Sequence, residues 1–221
     1  MLSMNTAQSK VEDTALSTKK RILNAAEHLF VEKGFAATSL RAISSLAEVN
    51  LSATHYHFGS KEGLFAAVIH RRVDPVNASR VKALETLTQG VNVLSVDEII
   101  TAFLSPFSGE LPTALPRLMA RVHGEPPALV RPLLQEEFGQ VMNLFLKHLT
   151  IALPALGERE LRWRFHFMVG AMMQLLNGGN PLEVEPDEST FSEGLEKLKL
   201  FVIAGFKAPT ASMDLSREKK V

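Results

Sequence analysis

Residues 18–69, TKKRILNAAEHLFVEKGFAATSLRAISSLAEVNLSATHYHFGSKEGLFAAVI, hold four amphipathic pieces in succession, and their spacing decides the fold. Ile22, Ala26, Leu29 and Phe30 recur at helical intervals with Lys19, Lys20, Glu27 and Glu32 among them, which predicts a helix over Thr18–Lys33. Thr18 is its N-cap candidate. Gly34 stands where a residue of positive φ ends a helix, with Phe35 placed to fold back on it. Thr38 caps a second piece, in which Leu40, Ile43 and Ala47 face one way, and the piece ends near Glu48-Val49-Asn50. Ser52 caps a third, Ala53–Phe58, and after Gly59 Ser60 caps a fourth, Lys61–Arg72, whose Leu64, Phe65, Val68 and Ile69 point inward. Two short helices joined by a tight turn are the elements of a helix-turn-helix.

A helix as short as the third piece has no stability of its own in water and must lean on neighbours. Ala53 and Phe58 can supply the inward contacts, which leaves Ser52, Thr54, His55, Tyr56 and His57 as a polar, donor-rich surface. Such a surface suits a helix offered to a DNA groove, where hydroxyls and imidazoles meet phosphates and base edges. Two readings of Tyr56 remain open: a DNA contact, or half-buried scaffold. Lys61 in the first turn of the fourth helix is unfavourable unless an anion lies nearby, either a DNA phosphate or Glu62. His55 and His57 are two residues apart, so they do not share a helix face, and no Cys or acidic cluster completes a metal set.

These residues resemble the DNA-binding domain of the TetR family of bacterial transcriptional regulators. The resemblance rests on Ile22, Ala25-Ala26, Leu29-Phe30, Gly34-Phe35, Thr38, Ile43, Ala47, Val49, Tyr56, Phe58, Lys61, Leu64 and Phe65. It implies a three-helix domain whose recognition helix lies within Leu51–Phe58, in an all-helical homodimer that represses and releases DNA when a small molecule binds the C-terminal domain. Carried over by position, Thr38 and Lys61 would touch phosphates, Tyr56 would lie on the backbone or a thymine methyl, and Ser52, Thr54 and His55 would face the groove. Ser39, Arg41 and His57 complete the candidate DNA-binding set. The chain departs from the ordinary pattern in having His57 beside Tyr56 and no Arg or Lys from Ser52 to Ser60. Base readout would then use hydroxyls, imidazole and apolar contacts in place of a bidentate arginine.

The charge pattern agrees with a nucleic-acid partner. The 221-residue chain is neutral overall, yet residues 1–72 hold nine Lys/Arg against six Asp/Glu, a net of +3, and the remainder fifteen against eighteen, a net of −3. A polyanion responds to the local face. The 46 % hydrophobic content supplies a core without staples, and the absence of cysteine excludes disulfides and thiolate chemistry. The polar opening MLSMNTAQSKVEDTALS lacks the apolar stretch of a signal peptide, and no later run approaches a membrane span, so a cytoplasmic protein is expected.

The rest of the chain is helical in pattern, giving an all-α fold of about nine helices. The expected organisation is a disordered arm over 1–16, a helix-turn-helix domain over 17–72, a helical dimerisation and effector domain over 73–206 and a disordered tail over 207–221. Val73-Asp74 reads as a linker, because Pro75 fits best near a helix start. Ser95 and Glu98 form a capping box for a short helix with Ile99, Ile100, Phe103 and Leu104. Ser105–Pro116 reads as a loop, Leu115–His123 as a short helix, and Val130–Leu153, Glu158–Leu176 and Thr190–Ala204 as longer ones, the last preceded by an acidic loop with Glu183, Glu185, Asp187 and Glu188.

The last two helices supply a candidate dimer interface of Leu161, Phe165, Met168, Met172, Leu175, Leu195, Leu198 and Val202, suited to a symmetric four-helix contact. A two-fold dimer would match a palindromic site on double-stranded DNA. Phe103, Met119, His123, Phe138, Met142, Phe145, Trp163 and Phe167 are candidates to line a pocket for an apolar or amphipathic effector, although methionines at helical spacing also serve as plain core. The part from Leu115 onward weakly resembles fatty-acid-responsive members of the same family. No phosphate loop, HExxH, cysteine nucleophile or GxSxG motif supports an enzyme, and nothing calls for a cofactor.

Overall fold

The computed structural model describes residues 3–90, 93–108, 114–176 and 188–210, and all regular structure within them is helical. Nine α-helices follow one another there: α1 (Ser3–Ala37), α2 (Leu40–Leu46), α3 (Leu51–Phe58), α4 (Lys61–Thr88), α5 (Val96–Leu104), α6 (Ala114–His123), α7 (Pro127–Ala152), α8 (Glu158–Leu176) and α9 (Glu188–Lys207). A 3₁₀ turn, Ser105–Phe107, follows α5. The chain divides into two compact units, one of residues 1–77 with 112–139, the other of 78–111 with 140–221.

In the first unit α1 packs on α2, α3 and α6. Its core gathers the apolar stripe of the sequence: Ile22, Ala26, Phe30, Ile43, Leu64, Phe65, Val68 and Ile69 are buried, joined by Leu118 and Val122 of α6. Phe30 meets Phe65 edge-on with ring centres 4.9 Å apart, and Phe35 lies 5.1 Å from Phe65. Helix α1 begins at Ser3, where an arm through residue 16 was expected, because residues 3–17 contain neither glycine nor proline to stop it. Gly34 interrupts it at φ 80°, ψ 173°, a region open in practice only to glycine.

The caps differ in detail from the sequence expectation. Ser39 caps α2, its Oγ accepting from Ala42 N at 3.1 Å, and Asn50 caps α3, its Oδ1 accepting from Ala53 N at 2.7 Å. Thr38 and Ser52 are displaced from that role because the helices start at Leu40 and Leu51, and the residue just before each has the extended backbone a cap requires. Ser60 does cap α4, accepting from Gly63 N at 3.0 Å.

No linker appears at Val73-Asp74: α4 continues through Pro75. Contacts on both sides of the proline hold the helix, with Val73 fully buried and Asn77 Nδ2 donating to the Glu137 carbonyl at 2.7 Å. In the second unit α5 and α8 both pack on α9. The Ser95–Glu98 capping box forms as expected, with Ser95 N donating to Glu98 Oε2 at 2.8 Å and Glu98 N to Ser95 Oγ at 3.3 Å. The expected loop after α5 is partly the 3₁₀ turn, and its residues 109–113 lie outside the described ones, as do the acidic loop up to Asp187 and residues 211–221 of the tail. Residues 207–210 of that tail are described, and Lys207 is the last residue of α9.

Candidate DNA interface

The turn between α2 and α3 is built by local backbone bonds. Ala47 N donates to Ile43 O at 2.9 Å and Val49 N to Ser44 O at 3.0 Å, while Glu48 adopts φ 54°. Arg21 of α1 donates from Nη2 to the Glu48 carbonyl at 3.0 Å, securing that strained residue. Across the turn the hydroxyls of Ser44 and Thr54 lie 2.8 Å apart in a buried hydrogen bond. Thr54 is therefore the pivot of α3 on α2 and is withdrawn from the groove-facing set, because its hydroxyl is enclosed by the core.

The outer face of this pair carries what remains. Ser39 and Arg41 of α2 and Ser52, His55 and Tyr56 of α3 are exposed. Tyr56 projects into solvent with only the edge of the half-buried His57 ring beside it, at 5.3 Å, so the scaffold reading of Tyr56 falls away. His55 Nδ1 lies 2.9 Å from the Gly59 carbonyl. A carbonyl only accepts, so Nδ1 carries the hydrogen, and in the neutral ring Nε2 is left as an acceptor pointing away from the helix end.

Thr38 and Lys61 have structural partners. Thr38 is buried, and its hydroxyl is shared between the carbonyls of Gly34 at 2.7 Å and Leu29 at 3.1 Å. Its side chain is thus not free to meet a phosphate. Lys61 Nζ donates to the carbonyls of Phe35 at 2.8 Å and Thr38 at 2.9 Å, and lies 4.2 Å from the centre of the Phe35 ring. Carbonyl oxygens beyond Gly34 therefore provide the negative partner that a lysine in a first helical turn needs; Glu62 does not.

Sequence reasoning missed several supports of this unit. Glu125 Oε1 accepts from Phe35 N at 2.7 Å, and buried Glu27 accepts from both Arg71 and Arg72, the latter through Nε at 2.8 Å. These pairs join residues 44 to 90 positions apart, so no local spacing could have signalled them.

The expected effector set is divided between the two units. Met119, His123 and Phe138 belong to the first unit, and Phe103, Met142, Phe145, Trp163 and Phe167 to the second. Within the second unit Phe103 and Phe145 meet edge-on at 5.2 Å, with Phe165 edge-on to Phe103 at 5.1 Å. Met142 is half-buried, and Trp163 and Phe167 stack on each other at the surface, 5.7 Å apart. The expected dimer residues are mostly internal: Leu161, Phe165, Met168, Met172, Leu195, Leu198 and Val202 are buried within one protomer, and Leu175 is half-buried. Phe165 and Met172 of that stripe meet Phe103 and Arg80, and α8 packs on α9, while Trp163 and Phe167 (64 % exposed) on α8 and Leu200 and Phe201 (72 % exposed) on α9 are exposed.

Two family models match this chain. Residues 22–68 match that of bacterial regulatory proteins of the TetR family, and residues 98–205 match the tetracyclin repressor-like C-terminal domain. The chain belongs to the TetR family. Membership of a family of regulators takes it out of the enzyme reading. Over 83 residues this TetR-family protein is 34 % identical to the probable HTH-type transcriptional regulator YttP of Bacillus subtilis, a match covering 38 % of each chain. It is 39 % identical over 59 residues to the regulator UidR of Escherichia coli, covering 27 % of this chain and 30 % of that one. The similarity to these curated relatives thus spans well under half of their length. The fold is that of the fatty acid degradation regulator FadR from Bacillus halodurans, with a TM-score of 0.62 at 10 % identity over 87 % of this chain and 97 % of that one. Among the described residues no helix is long and apolar enough to cross a membrane.

Proposed function

We propose that this TetR-family protein is a homodimeric, sequence-specific DNA-binding repressor that holds a palindromic operator and is released by a small effector with an apolar body. The observation that carries this reading is the outward face of α2 and α3. An eight-residue helix is secured from below by Thr54, and it offers Ser52, His55 and Tyr56 to solvent beside Ser39 and Arg41. In this reading residues 17–72 contact DNA, and residues 73–206 carry the dimer and effector functions. His55 reads a base edge: with Nδ1 committed to Gly59, its Nε2 accepts from the exocyclic amine of adenine or cytosine in the major groove. Tyr56, Ser39 and Arg41 position the helix on the backbone.

The exposed aliphatic and aromatic stripe of α8 and α9 supports the homodimer. A second copy placed on it across a two-fold axis would bury Trp163, Phe167, Leu200 and Phe201 in a four-helix contact and set two α3 helices for the half-sites of one operator. Replacing Phe167 and Phe201 together by Asp is expected to give a folded monomer in sedimentation with loss of operator binding; an unchanged dimer would reject this interface.

Selection of bound fragments from the source genome, with affinity followed against salt, tests the reading as a whole. An enriched palindrome with steeply salt-dependent affinity is expected. Absence of enrichment at low salt, with protein refolded to strip any co-purified molecule, would overturn it. His55→Ala is expected to change the ranking of operator variants, with a cost of about 1–3 kcal/mol at one base position. An equal loss on every sequence would remove His55 as a base reader.

A further inference from the structure

Arg80 of α4 is the largest by volume of the fully buried side chains among the described residues, only 2 % exposed, and no carboxylate among the described residues pairs with it. Its Nε donates to the Phe103 carbonyl at 2.9 Å, and Nη2 reaches the Met172 sulfur at 3.5 Å. The guanidinium carbon lies 3.8 Å from the centre of the Phe103 ring and 5.6 Å from that of Phe107. Arg164 shows what an arginine in this unit otherwise does: its side chain is 10 % exposed, and it holds Glu160 and three backbone carbonyls. Arg80 is deeper and has one carbonyl and a thioether.

The imbalance is chemical as well as geometric. A guanidinium carries five N–H donors in a planar fork, and among the described residues the edge formed by Nη1 and Nη2 is matched only by a weak sulfur acceptor. Burial pushes its pKa down to about 9, which still leaves it charged at neutral pH. The Phe103 face offsets part of the lost hydration, but a ring quadrupole does not neutralise a full charge. A buried cation that no carboxylate among the described residues balances is a candidate for a binding role.

We propose that Arg80 is the receptor for the acidic group of the effector, a carboxylate on an apolar body that pairs with the Nη1–Nη2 edge inside the second unit. This rests on the effector-responsive reading above. A carboxylate fits the fork bidentately and brings a single charge, so the pair is neutral in an apolar surround; a phosphate dianion would leave a net charge there and cost far more to desolvate. Met172, unbranched and soft, is the side chain that must yield its place to the acid, and the edge-on rings of Phe103, Phe145 and Phe165 supply apolar wall.

Thermal unfolding of the refolded full-length protein, without DNA, tests this with two acids, octanoate and 3-phenylpropionate, and their matched amides. At least one acid is expected to raise Tm by roughly 5–10 °C at a hundredfold excess over its Kd, with no shift from its amide. Arg80→Met is expected to keep or raise the ligand-free Tm and to weaken acid binding on the order of 30-fold or more. Should that variant fail to fold, Arg80→Lys keeps the charge without the fork and must still weaken acid binding. The proposal is overturned if neither acid shifts Tm, if acid and amide act alike, or if the variants bind the acid as the wild type does. Acid binding that leaves an operator complex intact would count against the repressor reading alone, and a wild type that binds its operator but neither acid would count against Arg80 alone.

Discussion

Lys61 and Thr38 show how a side chain can look like a DNA contact in sequence and act as a strut in the fold. Lys61 joins the start of α4 to the carbonyls beyond Gly34, so Lys61→Met is expected to cost about 1–3 kcal/mol in urea unfolding through the loss of two charge-assisted bonds. A Lys61→Met variant of unchanged stability would return the residue to the phosphate contacts. At Gly34 the backbone conformation and the neighbours act together. A Cβ there would stand 2.7 Å from both Arg121 Nη2 and Glu125 Oε1, at a φ of 80°. Gly34→Ala is expected to destabilise by about 1–3 kcal/mol, read from the shift in urea midpoint. The residues legible in sequence were those whose signals are close in the chain: Ser95 and Glu98 three apart, and Gly34 at the break in α1. Thr54 and Lys61 were not, since their roles depend on partners ten to twenty-six positions away.

At the scale of the helix, periodicity located nearly every element but could not say which apolar stripe meets which neighbour. Helix α8 was legible end to end, Glu158–Leu176, because a glycine precedes it and an Asn-Gly-Gly run follows. Its arc is apolar around so much of the circumference that inner and outer stripes read alike, and the stripe expected between subunits is the one buried within the chain. Pro75 misled for a different reason. Proline is a local breaker, but contacts on both sides of it carry α4 through, and the missing N–H leaves the Arg71 carbonyl without its helical donor. Pro75→Ala is therefore expected to stabilise the protein, by about 1–2 kcal/mol after the entropy it returns to the unfolded chain. A lower midpoint in urea would mean that the proline ring is itself needed.

At the scale of the molecule, each unit holds a histidine that couples folding to pH, and the two act in opposite senses. In the first, the hydrogen bond from His70 to Glu137, at 3.0 Å, raises the His70 pKa above its ordinary value near 6.5 against a smaller effect of burial. Its contribution is present in full below 6.5 and is lost as pH rises through the raised value. In the second, burial lowers the His148 pKa, aided by Lys147, so its contribution is full above 6.5 and is lost as pH falls through the lowered value. The His70 ring is mostly exposed, which keeps its share to under about 1 kcal/mol. Unfolding free energies of His70→Ala measured between pH 5 and 9 are expected to show stability rising with pH more steeply than in the wild type. The same slope in both proteins would mean that the Glu137 contact does not persist in solution.

The first unit is not one stretch of chain, and protein engineers would meet that fact early. Residues 114–139 close it, with Leu118 and Val122 buried on α6 and Glu125 bonded to Phe35. A cassette cut at residue 72 and fused to a foreign sensor would leave behind the covering of α1 and one of its anchors. Such a chimaera should express as an insoluble or protease-sensitive product, whereas a graft that carries α6 and the start of α7 along with the reading head keeps its interior whole.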